Sequence, residues 1–293
     1  MNIREVNIKE YKLISRGKVR DIYDLEDSLL FIATDRISAF DQIMHETIQN
    51  KGFILNQISK FWFEKTSGIV GNHFITDNPS SIHKNLEKYG DFIDGRSMLV
   101  RKADVIPFEC IVRGYITGSA WEEYKKSKTV NGESIDCKLL ESEQFREPIF
   151  TPSTKAETGH DINISFEYMK NKIGKKTAEA IKKYSLDLYK YGFEYALKKD
   201  IIIADTKFEF GIVDNKIILI DEILTPDSSR FWPLNNHVPG NKMIGLDKQF
   251  LRNYLINVNW DKSSSPPHLP ESVVNKISER YVSIYNTLTG KDI

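Results

Sequence analysis

The chain has 293 residues, room for one large domain or two ordinary ones, and its 40% apolar and 11% aromatic content argues for a filled core rather than disorder. Lysine plus arginine and aspartate plus glutamate each number 41, so the net charge is zero, which speaks against bulk binding to nucleic acid or an anionic membrane but leaves room for a local basic pocket. No apolar run reaches the roughly 20 residues of a membrane span, the polar N-terminus is unlike a signal peptide, the histidines form no zinc pattern, and Cys110 and Cys137 read as reduced thiols of a cytoplasmic protein.

Tyr11–Tyr23 (YKLISRGKVRDIY) predicts a hairpin turning at Ser15-Arg16-Gly17, with Lys18 and Arg20 on one face of its second strand. A glycine turn followed by lysine resembles loops that cover ATP phosphates, although no Walker A sequence is present. A plain surface hairpin carries the same signature. Leu29–Thr34 is a buried strand ending in Asp35-Arg36-Ile37-Ser38-Ala39-Phe40-Asp41, a small, polar stretch suited to a ligand loop or to turn capping. Phe53–Thr66 has helical periodicity, with Ile54, Ile58, Phe61 and Trp62 on a core face.

Ser97–Lys102 and Phe108–Val112 read as strands, joined by a short link around Ala103 that could serve as a hinge. Arg113-Gly114-Tyr115-Ile116-Thr117-Gly118-Ser119-Ala120 then opens a helix. Arginine and serine beside two glycines at a helix start suit an anion, because free N–H groups and the helix dipole favour phosphate there. Thr129–Ile149 is polar and expected to be irregular. Thr151–Ser165 shows no periodicity, and Lys155, Glu157, His160 and Asp161 make it a candidate substrate loop. Ala178–Tyr195 is an amphipathic helix.

Ile201–Phe231 carries the densest chemistry. Asp205, Lys207, Glu209 and Gly211 alternate with Thr206, Phe208, Phe210 and Ile212, so one strand has an apolar back and a charged front. Clustering charge on a strand is costly unless the charges are paired or liganded. With a three-residue turn at Asp214-Asn215-Lys216, Val213 would pair with Ile217 and Glu209 would face Asp221, their Cβ atoms about 5 Å apart. Two facing carboxylates with a nearby lysine could hold Mg²⁺ and a phosphate. A two-residue turn would instead put Asp221 on the Phe208 side. Helices near Leu246–Ile256 and Glu271–Leu288 close the chain.

Taken in order, SRGKVRDIY, ATDRISAFD, ECIVRGYITGSAWEEY, IFTPSTKAE, IIADTKFEFG and IDEILTPDSSRFW resemble the blocks of the SAICAR synthetase family, from about Leu13 to Trp232 and on through DKQFLR and YNTLTG. The resemblance implies an α+β fold. It has a kinase-like antiparallel sheet domain over residues 1–106 and a larger ATP-grasp-like α+β domain with C-terminal helices over 107–293, as a monomer or small homo-oligomer. It implies an enzyme that uses ATP and Mg²⁺ to join L-aspartate to CAIR, with no nucleic-acid or membrane partner. By position, Gly17, Lys18 and Arg20 would meet ATP phosphates and the backbone near Arg101 and Ala103 would meet adenine. Glu209 and Asp221 would hold Mg²⁺. Lys207 with Lys18 would act on the transferring group. Arg113, Ser119 and Arg230 would bind the CAIR phosphate, Ser38, Asp41 and Asp205 would line the CAIR side, and Lys155 would meet aspartate. The 151–165 loop departs from the family pattern: it is one residue shorter before His160, and Ile162 replaces an acid, while His160, Asp161 and Asn163 match. A small-molecule kinase and a non-catalytic nucleotide-binding protein are the rival readings of the same residues.

Overall fold

The computed structural model describes residues 2–155 and 162–293. The strands are β1 (Lys12–Arg16), β2 (Arg20–Asp24), β3 (Ser28–Ala33), β4 (Arg36–Ala39), β5 (Gln42–Thr47), β6 (Phe74–Thr76), β7 (Ser97–Arg101), β8 (Asp104–Val105), β9 (Phe108–Tyr115), β10 (Thr129–Val130), β11 (Glu133–Ser134), β12 (Gln144–Thr154), β13 (Ile201–Val213), β14 (Lys216–Ile220) and β15 (Ser229–Pro233). The α-helices are α1 (Lys51–Thr66), α2 (Gly90–Ile93), α3 (Gly118–Ser127), α4 (Phe166–Ile173), α5 (Lys175–Leu197), α6 (Gln249–Asn257) and α7 (Glu271–Thr289). The expected α+β class holds. A five-stranded antiparallel sheet runs β1-β2-β3-β7-β6, and a six-stranded sheet is built around β13, with β9, β14, β15 and β8 as its partners and β12 outside β9. Among the described residues no helix is long and apolar enough to cross a membrane.

The helix expectations hold because their apolar stripes meet real partners. Ala178, Ile181 and Leu188 of α5 share one buried cluster with Phe208 and Phe210, the apolar back of β13. Helix α7 lies along α1 in the same cluster, with Phe53 edge-on to Tyr285 at 6.2 Å. Gly192 lets α5 approach closely: a Cβ there would lie 2.4 Å from Leu224 Cδ1.

Three local expectations are corrected. The first hairpin turns later than expected: Gly17 N–H donates to Arg20 O at 2.8 Å, so Ser15 and Arg16 are strand residues and Lys18 sits in the turn. The fully buried Asp21, paired with Arg36 and Arg16, pins that register. Thr129–Ile149 is irregular only over 135–143, since it also holds the β10–β11 hairpin and half of β12; β12 also takes in Thr151–Thr154 of the expected loop. The rest of that loop, including Glu157, His160 and Asp161, lies outside the described residues.

The third correction concerns β13–β14. The turn is Asp214-Asn215 alone, both at positive φ (50° and 58°), so Val213 pairs with Lys216 and Glu209 with Ile220. Asp and Asn tolerate the left-handed conformation, and a two-residue turn of this kind matches the natural twist of the paired strands. Glu209 and Asp221 therefore do not face each other across the ladder.

Candidate active site

Strand β13 lies between β9 and β15, and its charged front is built from all three. Asp205 pairs in register with Arg113 on one side and Arg230 on the other. Its carboxylate accepts from the Arg113 guanidinium at 3.4 Å and forms an ion pair with Arg230. Arg113 also donates to Thr151 Oγ1 at 3.0 Å and to Ser119 Oγ at 3.5 Å. Burial pulls the Arg113 pKa down, and Arg230 opposes the support from Asp205. A buried and a half-buried guanidinium sharing one carboxylate leave excess positive charge, which suits a dianionic ligand.

Arg113, Ser119, Asp205 and Arg230 line a cavity of about 260 Å³ together with Lys207, Ser228, Ser229, Asp227, Asp247, Lys248 and Arg252. Asp227, Lys248 and Arg252 are functional candidates that sequence reading missed. Asp227 sits in the TPDSSR block already singled out. Lys248 and Arg252 come from the start of α6, whose only cue was the DKQFLR match. Burial lowers the Arg252 pKa, and the nearby Arg230 lowers it further.

Gly118 explains how Arg230 fits. Its φ is +56°, and a Cβ there would sit 2.5 Å from Arg230 Nη2. Gly118→Ala should thus strain the start of α3 and push the guanidinium out of place. The expected outcome is an increase of about tenfold in KM for the phosphorylated substrate with a smaller change in KM for nucleotide, measured by steady-state kinetics.

Two to four residues along β13 the environment changes. Lys207 forms ion pairs with Glu109 and, at 3.0 Å, with Glu209, while Lys155 pairs with the other Glu209 oxygen. Burial would lower the Lys207 pKa, but Glu209, Glu109 and Asp221 together raise it, so it is a firm cation. Glu109 was missed as a site residue. It lies one residue past the last ladder pair, Phe208 with Cys110, and shares the Lys207 ammonium with Glu209. Alternation in FECIVR placed Glu109 and Arg113 on one face, but the pairing of β9 with β13 was not legible.

Asp221 reaches the same cluster by another route. It has φ +66°, just past the end of β14, so strand alternation no longer decides where its side chain goes. It pairs with Arg20 of the five-stranded sheet, which also approaches Glu222 at 3.4 Å and stacks on Phe31 at 5.6 Å. Burial pushes the Asp221 pKa up, yet Arg20, Lys207 and Lys155 outweigh it and hold it at about 2. The expectation that Asp221 joins Glu209 across a three-residue turn fails, while both carboxylates are still tied to Lys155 and Lys207 through charge. His73 lies beneath: burial drives it down to about 3, so its ring is neutral, wedged edge-on against Phe31 and Phe63.

The remaining predicted residues sit on other elements. Gly17 and Lys18 form the first hairpin turn, and Lys18 pairs with Asp41, which follows Ser38 and β4 in a left-handed turn. Asp35, by contrast, is structural: it binds the Ile3 and Gly52 N–H groups and Arg96. Arg101 ends β7 and donates to Asn72 O. Ala103 and its neighbours Lys102 and Asp104 line a separate cavity of about 570 Å³ with Ile14, Leu29 and Ile212.

A ladder-borne anion pocket continuous with a carboxylate–lysine cluster defines a class: enzymes that act on a phosphorylated small molecule. The family model of SAICAR synthetase matches residues 13–267. A phosphoribosylaminoimidazole-succinocarboxamide synthase of Thermodesulfovibrio yellowstonii is 52% identical over 288 residues, covering 98% of this chain and 99% of the relative. One from Geotalea uraniireducens is 52% identical and covers 96% of each. The Saccharomyces cerevisiae SAICAR synthase complexed with SAICAR superposes with a TM-score of 0.92 at 43% identity, over 100% of this chain and 99% of that one. A SAICAR synthetase in complex with ADP matches with a TM-score of 0.70 at 26% identity, over 95% and 98%. The chain belongs to the SAICAR synthetase family. It is a carbon–nitrogen ligase of purine biosynthesis that joins L-aspartate to CAIR to form SAICAR.

Proposed function

We propose that the ligation runs through an acyl phosphate, with the two ends of the β13 front dividing the work. The carrying observation is that Asp205, Lys207 and Glu209 lie on one face of β13, with the anion pocket at one end and the carboxylate–cation cluster at the other. From residue 205 to 209 a strand advances about 13 Å, the scale of a ribonucleotide from 5′-phosphate to base substituent. Arg113, Ser119 and Arg230 hold the CAIR phosphate, and Asp205 keeps the two guanidiniums oriented. Ser38 and Asp41 line the CAIR side. Lys207 meets the CAIR carboxylate where it accepts the phosphoryl group.

ATP is the phosphoryl donor and lies between residues 1–106 and 107–293. The ADP complex of a relative supports a nucleotide site, and the cavity beside Ala103 has room for adenine against the backbone near Arg101. The Gly17-Lys18 turn and Arg20 cover the phosphates, with Lys18 leaving Asp41 for them. A carboxylate oxygen of CAIR attacks the γ-phosphorus and ADP leaves. The aspartate amine then attacks the acyl carbon, phosphate departs, and the amine proton passes to solvent. Lys155, beside Glu209 and at the edge of the 151–165 segment, serves the aspartate carboxylates.

The donor set fits Mg²⁺, since Glu209 and Asp221 offer only hard oxygen ligands. Among the described residues no group of three or more such ligands forms a cage, which suits a metal that takes its other ligands from nucleotide phosphates and water. Held by Glu209 and Asp221, it would supply charge neutralisation at the transferring phosphates.

The test is ADP release with CAIR and L-aspartate supplied together or singly. Sustained release is expected only with both. Release indifferent to both substrates would overturn the ligase route, and a stable phosphorylated product made without aspartate would favour the kinase reading.

A further inference from the structure

A buried ion cluster behind the anion pocket uses residues from opposite ends of the chain. Asp227 lines the pocket wall beside Ser228, Ser229 and Arg230. Its Oδ2 accepts from Lys51 Nζ and from Lys248 Nζ, each at 2.8 Å, and its Oδ1 accepts from Tyr281 OH at 2.6 Å. Lys51 also sits over the Tyr281 ring, 5.6 Å from its centroid. Lys51 opens α1 and is fully buried; Tyr281 lies in mid-α7 and is likewise fully buried. Helix α7 lies beyond the residues matched by the family model. Neither residue lines the pocket.

We propose that Lys51 and Tyr281 are positioning residues for CAIR: from α1 and α7 they clamp Asp227 and so hold the 225–230 turn that presents Ser228, Ser229 and Arg230 to the phosphate. This rests on the assignment of that pocket to the CAIR phosphate. The turn is short and tied on its near side by Thr225, whose hydroxyl accepts from the Asp227 and Ser228 N–H groups at 3.2 Å, and its far side feeds directly into β15. A carboxylate fixed from three directions leaves that turn little freedom, so the guanidinium two residues after Ser228 is held before substrate arrives. Preorganisation of this sort lowers the cost of binding.

The energetics separate this role from plain scaffolding. A lysine at the first position of a helix opposes the helix dipole. A buried ion pair is weak evidence for stability, because desolvation can exceed the attraction. Here burial outweighs Asp227 and pushes the Lys51 pKa down to about 8, with the neighbouring Lys248 adding to the shift. The folded chain thus holds this proton more weakly than the unfolded chain does. On the lysine side stability rises as pH climbs from about 8 towards the ordinary lysine value, whereas Lys248 and Lys51 outweigh burial and hold the Asp227 carboxylate below its ordinary range, so the two halves of the pair act on stability in opposite directions. Removing Lys51 still leaves Asp227 paired with Lys248 and Tyr281. A buried lysine and tyrosine that hold a carboxylate of the pocket wall from two remote helices fit a role in positioning that wall.

The test uses the full chain and two variants, Tyr281→Phe and Lys51→Met, at pH 7. Both are expected to raise KM for CAIR about fivefold or more, with KM for ATP unchanged. Lys51→Met should keep a melting temperature close to the parent's, because Asp227 retains Lys248 and Tyr281, and a merely structural lysine would not permit that. An unchanged KM for CAIR in Tyr281→Phe overturns the inference, as does a fall in melting temperature with both KM values rising together. Arg230→Ala runs alongside. If it leaves KM for CAIR unchanged, the pocket assignment itself fails; if it raises KM while the two clamp variants do not, only the positioning role fails.

Discussion

Asp221→Asn is expected to fold normally and to lose ATP-dependent turnover by about a hundredfold or more, the scale of a lost charged contact to a developing anion. The substitution keeps shape and hydrogen bonding but removes the charge. Asp221 is held at about pKa 2 by Arg20, Lys207 and Lys155 despite its burial, so it is fully ionised at neutral pH and three cations are arranged around it. Arg20 keeps Glu222 as a second partner at 3.4 Å, which limits the structural damage. The measurements are single-turnover ADP formation and thermal melting. Turnover at the parent rate would remove Asp221 from the phosphoryl end of the site and with it the Mg²⁺ assignment.

Arg230→Ala is the counterpart at the other end. It should raise KM for CAIR between about tenfold and a hundredfold, as expected for losing a charge-assisted contact of roughly 1.5–3 kcal/mol, and leave KM for ATP near its parent value. Asp205 remains compensated by Arg113 at 3.4 Å, so no unpaired buried charge is created and the fold should survive. Isothermal titration with CAIR reads the loss directly. Equal effects on CAIR and ATP would mean that Arg230 shapes the whole cleft rather than the phosphate pocket.

The two variants probe residues whose visibility in the sequence differed. Arg230 followed from the TPDSSRF block, and its pairing with Asp205 needs only that β13 and β15 be neighbours. Asp221 meets the Lys155–Lys207 charge cluster by a geometry other than the one its sequence implies. Strand alternation with a three-residue turn would bring it opposite Glu209, whereas Asp214 and Asn215 accept positive φ and close the hairpin in two residues. The compensating left-handed backbone at Asp221 itself cannot be inferred from composition, since any aspartate after a strand could as easily stay extended.

Glu109 shows the same limit from the other side. FECIVR is plainly a strand, and Glu109 plainly shares a face with Arg113, yet which strand it would lie beside was open. Register between segments nearly a hundred residues apart is settled by the packing of the apolar faces, here Cys110 and Phe208 in one core, and not by anything local.

By itself the sequence determined the elements with strong periodicity, α1, α5 and α7, the alternation that puts Asp205, Lys207 and Glu209 on one face, and the family. Each of these depends on residues close together in the chain or on ordered blocks of them. Tertiary structure decided which charges meet: Arg20 with Asp221 across two sheets, Lys207 with Glu109, and Lys51 with Asp227 and Tyr281 from three remote segments. The physical reason is that ion pairs act over a few ångströms, while the distances along the chain are set by how helices and sheets bury their apolar faces.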